Sequence, residues 1–385
     1  MMKVARADKL RIFLFHWFFT TLCGLTLREW AGLLAKHRFA VDLAFWPRAA
    51  LITVISLLNT LVGTYERLRY GASYRKTVVR APIFVLGHYR SGTTMLHRIL
   101  VNDRRLAYPT TWQALNPHTF LTTESFARRC LQVFFPRTRL VDNVRPGVDA
   151  PFEDEAVTVN SLHSYLLRYT FPREASVYDP YLTFRGVRPA AVAAWKRSLV
   201  VFYKKLTWRY QQRQLILKSP MHTGRIKLLL EMFPDARFIH IYRNPYSVFK
   251  STQSYWAFGA PGRRLQHEPK QDIDRQILDN YKSMFDAYFE EKSLIPEGHL
   301  YELRYEDLER DPMAVVRDIY QSLGLPDFAE AEGALQQYFD AQRGYRKNKH
   351  AEIDPAVREV VVSEWRRNFE TWGYDTEEER RYAHA

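Results

Sequence analysis

The segment Pro82-Ile-Phe-Val-Leu-Gly-His-Tyr-Arg-Ser-Gly-Thr-Thr94 predicts the fold more strongly than any other stretch of the chain. Its apolar residues, Ile83 to Leu86, have the length and composition of a buried strand. Gly87 ends that strand, and a helix is predicted from Thr94 to Leu100. A strand, a glycine loop and a helix N-terminus form a cradle for phosphate, because backbone N–H groups and the positive end of the helix dipole face one point.

The loop departs from the usual nucleotide-binding pattern at one position. Gly87 and Gly92 have the spacing of a Walker A loop, but Thr93 stands where an ATPase has lysine. The cation of this loop comes earlier, as Arg90. The loop is therefore predicted to hold a phosphate-like anion without the lysine used in nucleotide hydrolysis.

A second strand-and-helix segment covers residues 214–256. A short strand ends at Lys218, and a helix with apolar residues at helical spacing follows it. The next strand, Phe238 to Tyr242, is followed at once by Arg243. The helix predicted after it carries Ser251, eight residues beyond Arg243.

Together these segments resemble the donor-binding motifs of sulfotransferases that use 3′-phosphoadenosine 5′-phosphosulfate (PAPS). The run from Gly87 to Leu96 resembles their 5′-phosphosulfate loop, and the spacing of Arg243 and Ser251 resembles their 3′-phosphate site. The resemblance covers about residues 81–350. It implies that PAPS is the co-substrate, that no metal is required, and that the donor-binding residues are Arg90, Ser91, Gly92, Thr93, Thr94, Arg243 and Ser251.

The resemblance also implies two catalytic cations. Arg90 contacts the group in transfer, and Lys218, which begins a Lys-x-Pro sequence after a strand, approaches the sulfate. Without the resemblance, a lysine at a strand end is more simply a solvated terminus. A later basic segment, Tyr345 to His350, resembles the part of the family that closes over the nucleotide. It makes Arg346, Lys347 and Lys349 further donor-contact candidates.

The general base is not given by the family pattern. Where cytosolic relatives have a histidine two residues after the equivalent lysine, this chain has Pro220. Where relatives that act on tyrosine have a glutamate, residues 110–113 offer no acid. The candidate acids lie in residues 151–158, whose Glu-Asp-Glu run resembles a segment of bacterial sulfotransferases and precedes a helical pattern predicted from Ala156 to Leu167. Glu155 is the first candidate for the base and Glu153 the second.

Other interpretations of these residues stay open. Acids at the start of a helix also complement the helix dipole, which is a purely structural role. His222, His88 and His163 are reserve candidates for the base.

From residue 81 to about 375, predicted strands and helices alternate. This pattern favours an α/β fold with a P-loop-like parallel sheet and helices on both faces, plus an N-terminal helical appendage. We therefore predict an N-terminal segment, residues 1–80, and a sulfotransferase domain, residues 81–385.

The composition of the chain limits the classes of partner that it is expected to bind. The net charge of +14 suits an anionic donor or an anionic membrane, and no motif for nucleic acid is recognised. Only two cysteines are present, which excludes a disulfide framework and a cysteine-based metal site and favours a reducing compartment.

Residues 1–80 carry thirteen Lys/Arg and four Asp/Glu, a net +9. Their two apolar stretches, Ile12–Leu27 and Ala49–Gly63, are shorter than the ~20 residues of a spanning helix. With Trp17, Trp30, Phe45 and Trp46 beside basic residues, they predict peripheral contact with the cytoplasmic face of an anionic membrane. The alternative is that these helices only dock on the catalytic core.

The expected function is sulfuryl transfer from PAPS to a hydroxyl of a small hydrophobic acceptor, such as a lipid, a sterol or a similar alcohol. The expected location is cytoplasmic, and the oligomeric state is not predicted. A carbohydrate or polyketide acceptor is an alternative. A P-loop kinase acting on a small molecule and a non-catalytic, membrane-associated nucleotide-binding protein are the competing functions.

Overall fold

The computed structural model describes residues 20–132, 135, 146–257, 263–270, 272–342 and 354–376. The chain divides into two compact units. Unit 1 comprises Met1–Val79, Tyr108–Arg213 and Ala260–Lys270, and unit 2 comprises Arg80–Ala107, Gln214–Gly259 and Gln271–Ala385.

Unit 2 is built on a parallel sheet of five strands. They are β1 Ile83–Leu86, β2 Leu106–Ala107, β3 Gln214–Lys218, β4 Arg237–Tyr242 and β5 Leu300–Arg304. Their order across the sheet is β2-β3-β1-β4-β5, and every pairing is parallel. All four residues of β1 are buried, as are the central four of β4. Such continuous apolar strands are typical of a parallel sheet covered on both faces.

The α-helices of the described residues are named here in chain order. Those of unit 1 are α1 Leu27–Lys36, α2 Trp46–Arg75, α4 Thr111–Leu115, α5 Phe120–Cys130 and α6 Pro189–Arg209. Those of unit 2 are α3 Thr93–Leu100, α7 Ile226–Met232, α8 Pro245–Ala257, α9 Ile273–Glu291, α10 Tyr305–Arg310, α11 Pro312–Ser322, α12 Phe328–Gln342 and α13 Pro355–Trp372.

The predicted α/β fold with a parallel sheet is confirmed. The sequence signals also mark the observed boundaries: β1 ends at Leu86 and α3 begins at Thr93. Pro245 opens α8 as predicted, since proline suits the first turn of a helix. Asp311 caps α11 by accepting a hydrogen bond from the N–H of Ala314 at 3.0 Å.

Unit 1 contains short 3₁₀ helices where one regular helix was expected. The helix predicted from Ala156 to Leu167 is wrong, because the segment forms two 3₁₀ helices, Asp154–Ser161 and Tyr165–Tyr169. Leu162 breaks the helical path with a left-handed backbone, φ 60°. Further 3₁₀ helices follow at Pro172–Val177 and Asp179–Leu182.

The described part of the N-terminal segment belongs to unit 1. There α2 packs against α1, α5 and α6. Trp30 is buried and donates from Nε1 to Thr53 Oγ1 at 2.9 Å, so its predicted contact with headgroups is wrong. Trp46 is exposed, whereas Trp17 lies outside the described residues. The division into 1–80 and 81–385 stays a prediction.

One stretch in the described part of the chain has the length and composition of a membrane-crossing helix. It runs from Leu43 to Arg75 and includes α2. Only 22% of its most apolar eighteen residues are buried.

Candidate active site

Three neighbouring strands of unit 2 bring the predicted donor-binding motifs together. β1 pairs with β3 on one side and with β4 on the other. Because the strands are parallel, their carboxyl ends meet at one edge of the sheet. Gly87 follows β1, Lys218 ends β3 and Arg243 follows β4. This edge is where open α/β sheets bind their ligands.

The loop after β1 has the backbone of a phosphate cradle. Three of its residues have positive φ: Gly87 at 140°, Arg90 at 68° and Gly92 at 101°. Ser91 closes the turn, donating from its N–H at 3.2 Å and from its hydroxyl at 2.7 Å to the carbonyl oxygen of His88. Gly92 then caps α3, whose first N–H groups have no partner within the helix.

Both loop glycines are required by space as well as by φ. A Cβ on Gly87 would lie 2.4 Å from the carbonyl oxygen of Ile241. A Cβ on Gly92 would lie 2.4 Å from Cδ2 of Tyr305. Neither contact can be relieved without moving β4 or the Tyr305 ring, so the loop runs close to its neighbours.

Lys218 brings a buried cation to the start of α3. Its side chain is buried, and its Nζ lies 3.5 Å from Thr94 Oγ1 in the first turn of that helix. The ammonium and the positive end of the helix dipole therefore act on the same region. Such a concentration of positive potential favours a bound anion.

The Arg243–Ser251 pair is joined to the loop by hydrogen bonds. Arg90 donates from Nε to Ser251 Oγ at 2.8 Å, and Arg243 donates from Nη1 to the carbonyl oxygen of Arg90 at 3.4 Å. The Arg243 guanidinium lies over the ring of Tyr305, 4.1 Å from its centroid. A stacked guanidinium keeps its edge available for an anion. Two motifs that lie about 150 residues apart in sequence thus form one cluster.

Two members of this cluster were not predicted from the sequence. Thr223 accepts a hydrogen bond at Oγ1 from the N–H of Gly87 at 2.7 Å and so supports the loop. The ring of Tyr305 packs against Gly92, and the guanidinium of Arg243 stacks on the same ring. The position of Tyr305 directly after β5, at the same edge of the sheet, is the signal that could have identified it.

Glu306 and Asp307, which follow Tyr305, lie in the first turn of α10. Glu306 accepts the N–H of Asn244 at 3.3 Å and the hydroxyl of Tyr374 at 2.7 Å. These bonds give Glu306 a structural role, since they hold the turn after β4.

The candidate bases Glu155 and Glu153 belong to unit 1. Glu155 is buried at the start of the first 3₁₀ helix, and its Oε1 accepts a hydrogen bond from Thr158 Oγ1 at 3.1 Å. Its neighbour Asp154 is also buried and accepts a hydrogen bond from the hydroxyl of Tyr203. Glu153 is half-buried and occupies the N-cap position of the same 3₁₀ helix.

The reserve histidines differ in their environments. Burial lowers the pKa of His88 to about 4, although a 2.9 Å contact between Nδ1 and the carbonyl oxygen of Tyr89 opposes this effect. Burial also lowers the pKa of His163, and the positive charges of Lys36 and Arg188 lower that pKa further. His222 is buried in the 3₁₀ helix Pro220–Gly224.

The remaining predicted donor contacts lie outside the described residues; these are Arg346, Lys347 and Lys349. Among the residues that the structure describes, no group of three or more His, Cys, Asp or Glu could hold a metal ion.

Known proteins resemble this chain in sequence and in fold. Residues 82–330 match the family model described as "Sulfotransferase family". A protein named omega-hydroxy-beta-dihydromenaquinone-9 sulfotransferase Stf3, from Mycobacterium bovis, is 36% identical over 354 residues, which are 91% of this chain and 90% of that protein. The protein of the same name from Mycobacterium tuberculosis matches equally well.

Solved structures support the same fold. Sulfotransferase STF9 from Mycobacterium avium superposes with a TM-score of 0.65 at 19% identity, over 85% of this chain and 86% of that one. Sulfotransferase STF1 from Mycobacterium tuberculosis gives a TM-score of 0.60 at 19% identity, over 95% and 99%. The family model covers well over half of the chain, and it includes the loop after β1, Lys218 and the Arg243–Ser251 pair. The chain belongs to the sulfotransferase family and is a sulfotransferase.

Proposed function

We propose that the protein transfers a sulfuryl group from PAPS to a hydroxyl group of a hydrophobic lipid acceptor. The observation that carries the choice of donor is the 2.8 Å hydrogen bond from Arg90 to Ser251. It joins the loop suited to a 5′-phosphosulfate with the Arg243–Ser251 pair suited to a 3′-phosphate. Both anionic groups belong to one PAPS molecule, whereas ATP has no 3′-phosphate.

The residues of the cluster fit such a ligand chemically. Backbone N–H groups, serine and threonine hydroxyls and guanidinium groups are the donors that phosphate and sulfate oxygens accept from. In our proposal, Ser91, Gly92, Thr93 and Thr94 hold the 5′ end of PAPS. Arg243 and Ser251 hold the 3′-phosphate.

The reaction breaks the bond between sulfur and the bridging oxygen of PAPS and forms a bond between sulfur and the acceptor oxygen. Adenosine 3′,5′-bisphosphate leaves with the bridging oxygen and its negative charge. Lys218 is proposed to stabilise that charge, and Arg90 to stabilise the oxygens of the group in transfer. By analogy with phosphoryl transfer, positioning and charge stabilisation supply most of the catalysis.

The acceptor hydroxyl must lose a proton, and Glu155 is our proposed base, with Glu153 second. Thr158 donates a hydrogen bond to Oε1 of Glu155 and so helps to hold the carboxylate that would accept the proton. His88 is less suited, because a pKa of about 4 makes it a weak base at neutral pH. His163 and His222 stay in reserve.

A relative supports the choice of acceptor. The name of the 36% identical Stf3 describes a menaquinone derivative with an omega-hydroxyl group, which is a hydrophobic alcohol. We propose that this chain acts on an alcohol of the same kind, in the cytoplasm and in peripheral contact with the membrane through its N-terminal segment. Unit 1, which contains the candidate bases, also has buried aromatic side chains, among them Phe120, Tyr165, Phe171 and Tyr178.

Calorimetry tests the donor. Adenosine 3′,5′-bisphosphate is expected to bind at least tenfold, and up to about a hundredfold, more tightly than adenosine 5′-monophosphate, which lacks only the 3′-phosphate, since charge-assisted hydrogen bonds to that group contribute about 1.5–3 kcal/mol. Equal affinities would exclude the proposed 3′-phosphate site. Transfer of the γ-phosphoryl group from ATP would instead favour the kinase.

The acceptor is tested with ³⁵S-labelled PAPS and two substrates, an omega-hydroxylated menaquinone and the same quinone without the hydroxyl. Label is expected only in the first, at the mass of the sulfate ester. If PAPS is consumed with neither quinone but with a carbohydrate, the lipid part of the proposal is wrong while the donor part stands.

A further inference from the structure

Helix α2 has the reverse of the polarity expected for a helix that packs on a protein core. Its exposed side is apolar: between 48% and 79% of each of six side chains is accessible, namely Val54, Leu57, Leu58, Leu61, Tyr65 and Leu68. Its buried side is largely polar, and includes Arg48, Ser56, Asn59 and Glu66. An amphipathic helix that faces water has these sides exchanged.

Specific hydrogen bonds fix this orientation. Asn59 donates from Nδ2 to the carbonyl oxygens of Cys23 at 2.7 Å and Leu25 at 3.0 Å. Glu66 forms a buried ion pair with Lys205 of α6. Rotating α2 to bury its leucines would leave these polar groups without their partners, which is strongly unfavourable. The apolar side is therefore held outward by the fold.

The apolar side is continuous and free of charge. The six residues recur at helical spacing and extend over about 21 Å of helix axis. Between Leu43 and Tyr65 the one charged residue is Arg48, and it is buried. Trp46 and Tyr65, both exposed, lie towards the two ends of this stretch. Tryptophan and tyrosine are the side chains enriched where a membrane meets water.

Exposed cations flank the stretch on both sides. Lys36 and Arg38 precede it, and four exposed cations follow it, namely Arg67, Arg69, Arg75 and Lys76. An apolar strip with cations at its ends complements a bilayer with anionic headgroups. A second copy of the chain fits poorly, because cations would meet cations whether the two strips paired parallel or antiparallel.

We propose that α2 lies flat in the interface of an anionic lipid bilayer, with Leu57, Leu58 and Leu61 inserted among the acyl chains. The helix lies in the interface and does not span it, because its polar side is bonded within unit 1. This inference rests on the proposed function for its purpose, since a lipid acceptor is most concentrated where the enzyme contacts its membrane. The contact itself does not depend on which acceptor is used.

Flotation with vesicles tests the contact. The wild-type chain is expected to bind vesicles of phosphatidylcholine mixed equally with phosphatidylglycerol and to bind phosphatidylcholine alone more weakly. Leu57→Asp/Leu61→Asp is expected to lower binding to the mixed vesicles at least about tenfold. Arg67→Gln is expected to lower it about fivefold. Leu294→Asp, which replaces a leucine that is 51% exposed in unit 2, is the matched control and should bind as the wild type does.

Folding and turnover are checked in parallel. Because Leu57 and Leu61 are exposed, the thermal midpoint of the double variant should equal that of the wild type. Its turnover of a short-chain, water-soluble hydroxylated acceptor should also be unchanged, while sulfation of a vesicle-embedded acceptor falls. Wild-type vesicle binding by the double variant would overturn the inference. So would a wild-type dimer that binds no vesicles and that the double substitution dissociates.

The flotation result can be interpreted independently of the proposed function. If the wild type fails to transfer sulfate even to the soluble acceptor, the proposed acceptor chemistry is wrong, yet the flotation result still decides the membrane contact.

Discussion

The proposed donor-binding cluster of unit 2 and the acidic segment of unit 1 are positioned by different kinds of structure. In unit 2, Gly87, Lys218 and Arg243 follow or end adjacent parallel strands, so the register of the sheet sets their separation. In unit 1, Glu155 lies in a 3₁₀ helix, and a side-chain bond from Thr158 holds its carboxylate. Backbone geometry thus places the proposed donor site, whereas local side-chain contacts place the candidate base.

The sharpest test of unit 1 is the substitution Glu155→Gln. It keeps the shape and the hydrogen bond from Thr158 but removes the proton acceptor, so kcat should fall about 10²–10⁴-fold. Affinity for adenosine 3′,5′-bisphosphate should be unchanged, as measured by calorimetry. Glu153→Gln is the matched control, with a much smaller loss. If only the Glu153 variant loses turnover, the two roles are exchanged.

Removing one partner of the buried ion pair of unit 1 should cost more stability than removing one partner of a surface pair. Burial raises the pKa of Glu66 and lowers that of Lys205, although each partner opposes the shift of the other. Glu66→Gln leaves the Lys205 ammonium buried without its counter-charge and should lower the free energy of unfolding by about 3–5 kcal/mol. Urea unfolding measures this change.

The control for that prediction is the double variant Glu66→Gln/Lys205→Met, in which no charge is left. It should recover much of the loss, because an uncharged buried pair needs no compensation. A single variant that costs under about 1 kcal/mol would show that Lys205 has another partner of comparable strength.

This contrast explains what the sequence could predict. A strand, a loop and a helix leave a local signature, and its recurrence around Lys218 and Arg243 was enough to predict the parallel sheet and the edge at which the proposed donor site lies. The 3₁₀ helices Asp154–Ser161 and Tyr165–Tyr169 left no such signature in the sequence. The apolar residues of this run fit a regular helix, which Leu162 interrupts in the structure. Contacts between residues far apart in the chain, such as that of Tyr305 with Gly92, depend on tertiary packing and have no characteristic spacing in the sequence.

The orientation of α2, which exposes its apolar side, could not be predicted from the sequence either. The sequence shows that residues 49–63 are mostly apolar. Hydrophobicity alone does not show whether the apolar side of the helix is buried or exposed. The hydrogen bonds of Asn59 and the ion pair of Glu66 decide the orientation. These are long-range contacts that a single sequence does not reveal.

In unit 2, Lys218→Met should lower kcat about 10²–10³-fold. The methionine keeps the apolar stem of the buried side chain but removes the ammonium that would stabilise the leaving oxygen, a loss comparable to that of an oxyanion-hole donor. Rapid-quench kinetics with labelled PAPS measures the chemical step. If turnover is unchanged, the charge near Thr94 serves only the structure of the loop.

The loop after β1 should also make unit 2 sensitive to acid. The pKa of His88 is about 4 in the folded state, below the ordinary value near 6.5, because burial disfavours the charged ring. The unfolded chain therefore takes up a proton that the folded chain does not. The stabilisation from a neutral His88 is complete above about pH 6.5 and is lost as the pH falls towards 4, by about 3 kcal/mol in total.

Urea unfolding as a function of pH isolates this effect. His88→Asn should remove the slope that belongs to His88, while the buried histidines His37 and His240, whose pKa values burial also lowers, contribute equally to both proteins. Equal slopes in the two proteins would mean that folding does not lower the pKa of His88.

The smallest expected effect concerns Arg243 and is the most specific to the donor. Arg243→Met should weaken the binding of adenosine 3′,5′-bisphosphate about tenfold and leave the binding of ADP almost unchanged, because the lost bonds are those to the 3′-phosphate. Arg304→Met is the matched control, since Arg304 also ends a strand and stacks on a tyrosine, Tyr374, at 4.8 Å. It should affect neither ligand.

The ratio of the two affinities separates recognition from support. Arg243 also donates to the carbonyl oxygen of Arg90, so its loss can disturb the loop that holds the 5′ end of either nucleotide. A disturbed loop weakens both ligands by the same factor, whereas a lost phosphate contact weakens only one. Equal weakening would therefore assign Arg243 to the support of the loop and leave Ser251 to recognise the 3′-phosphate.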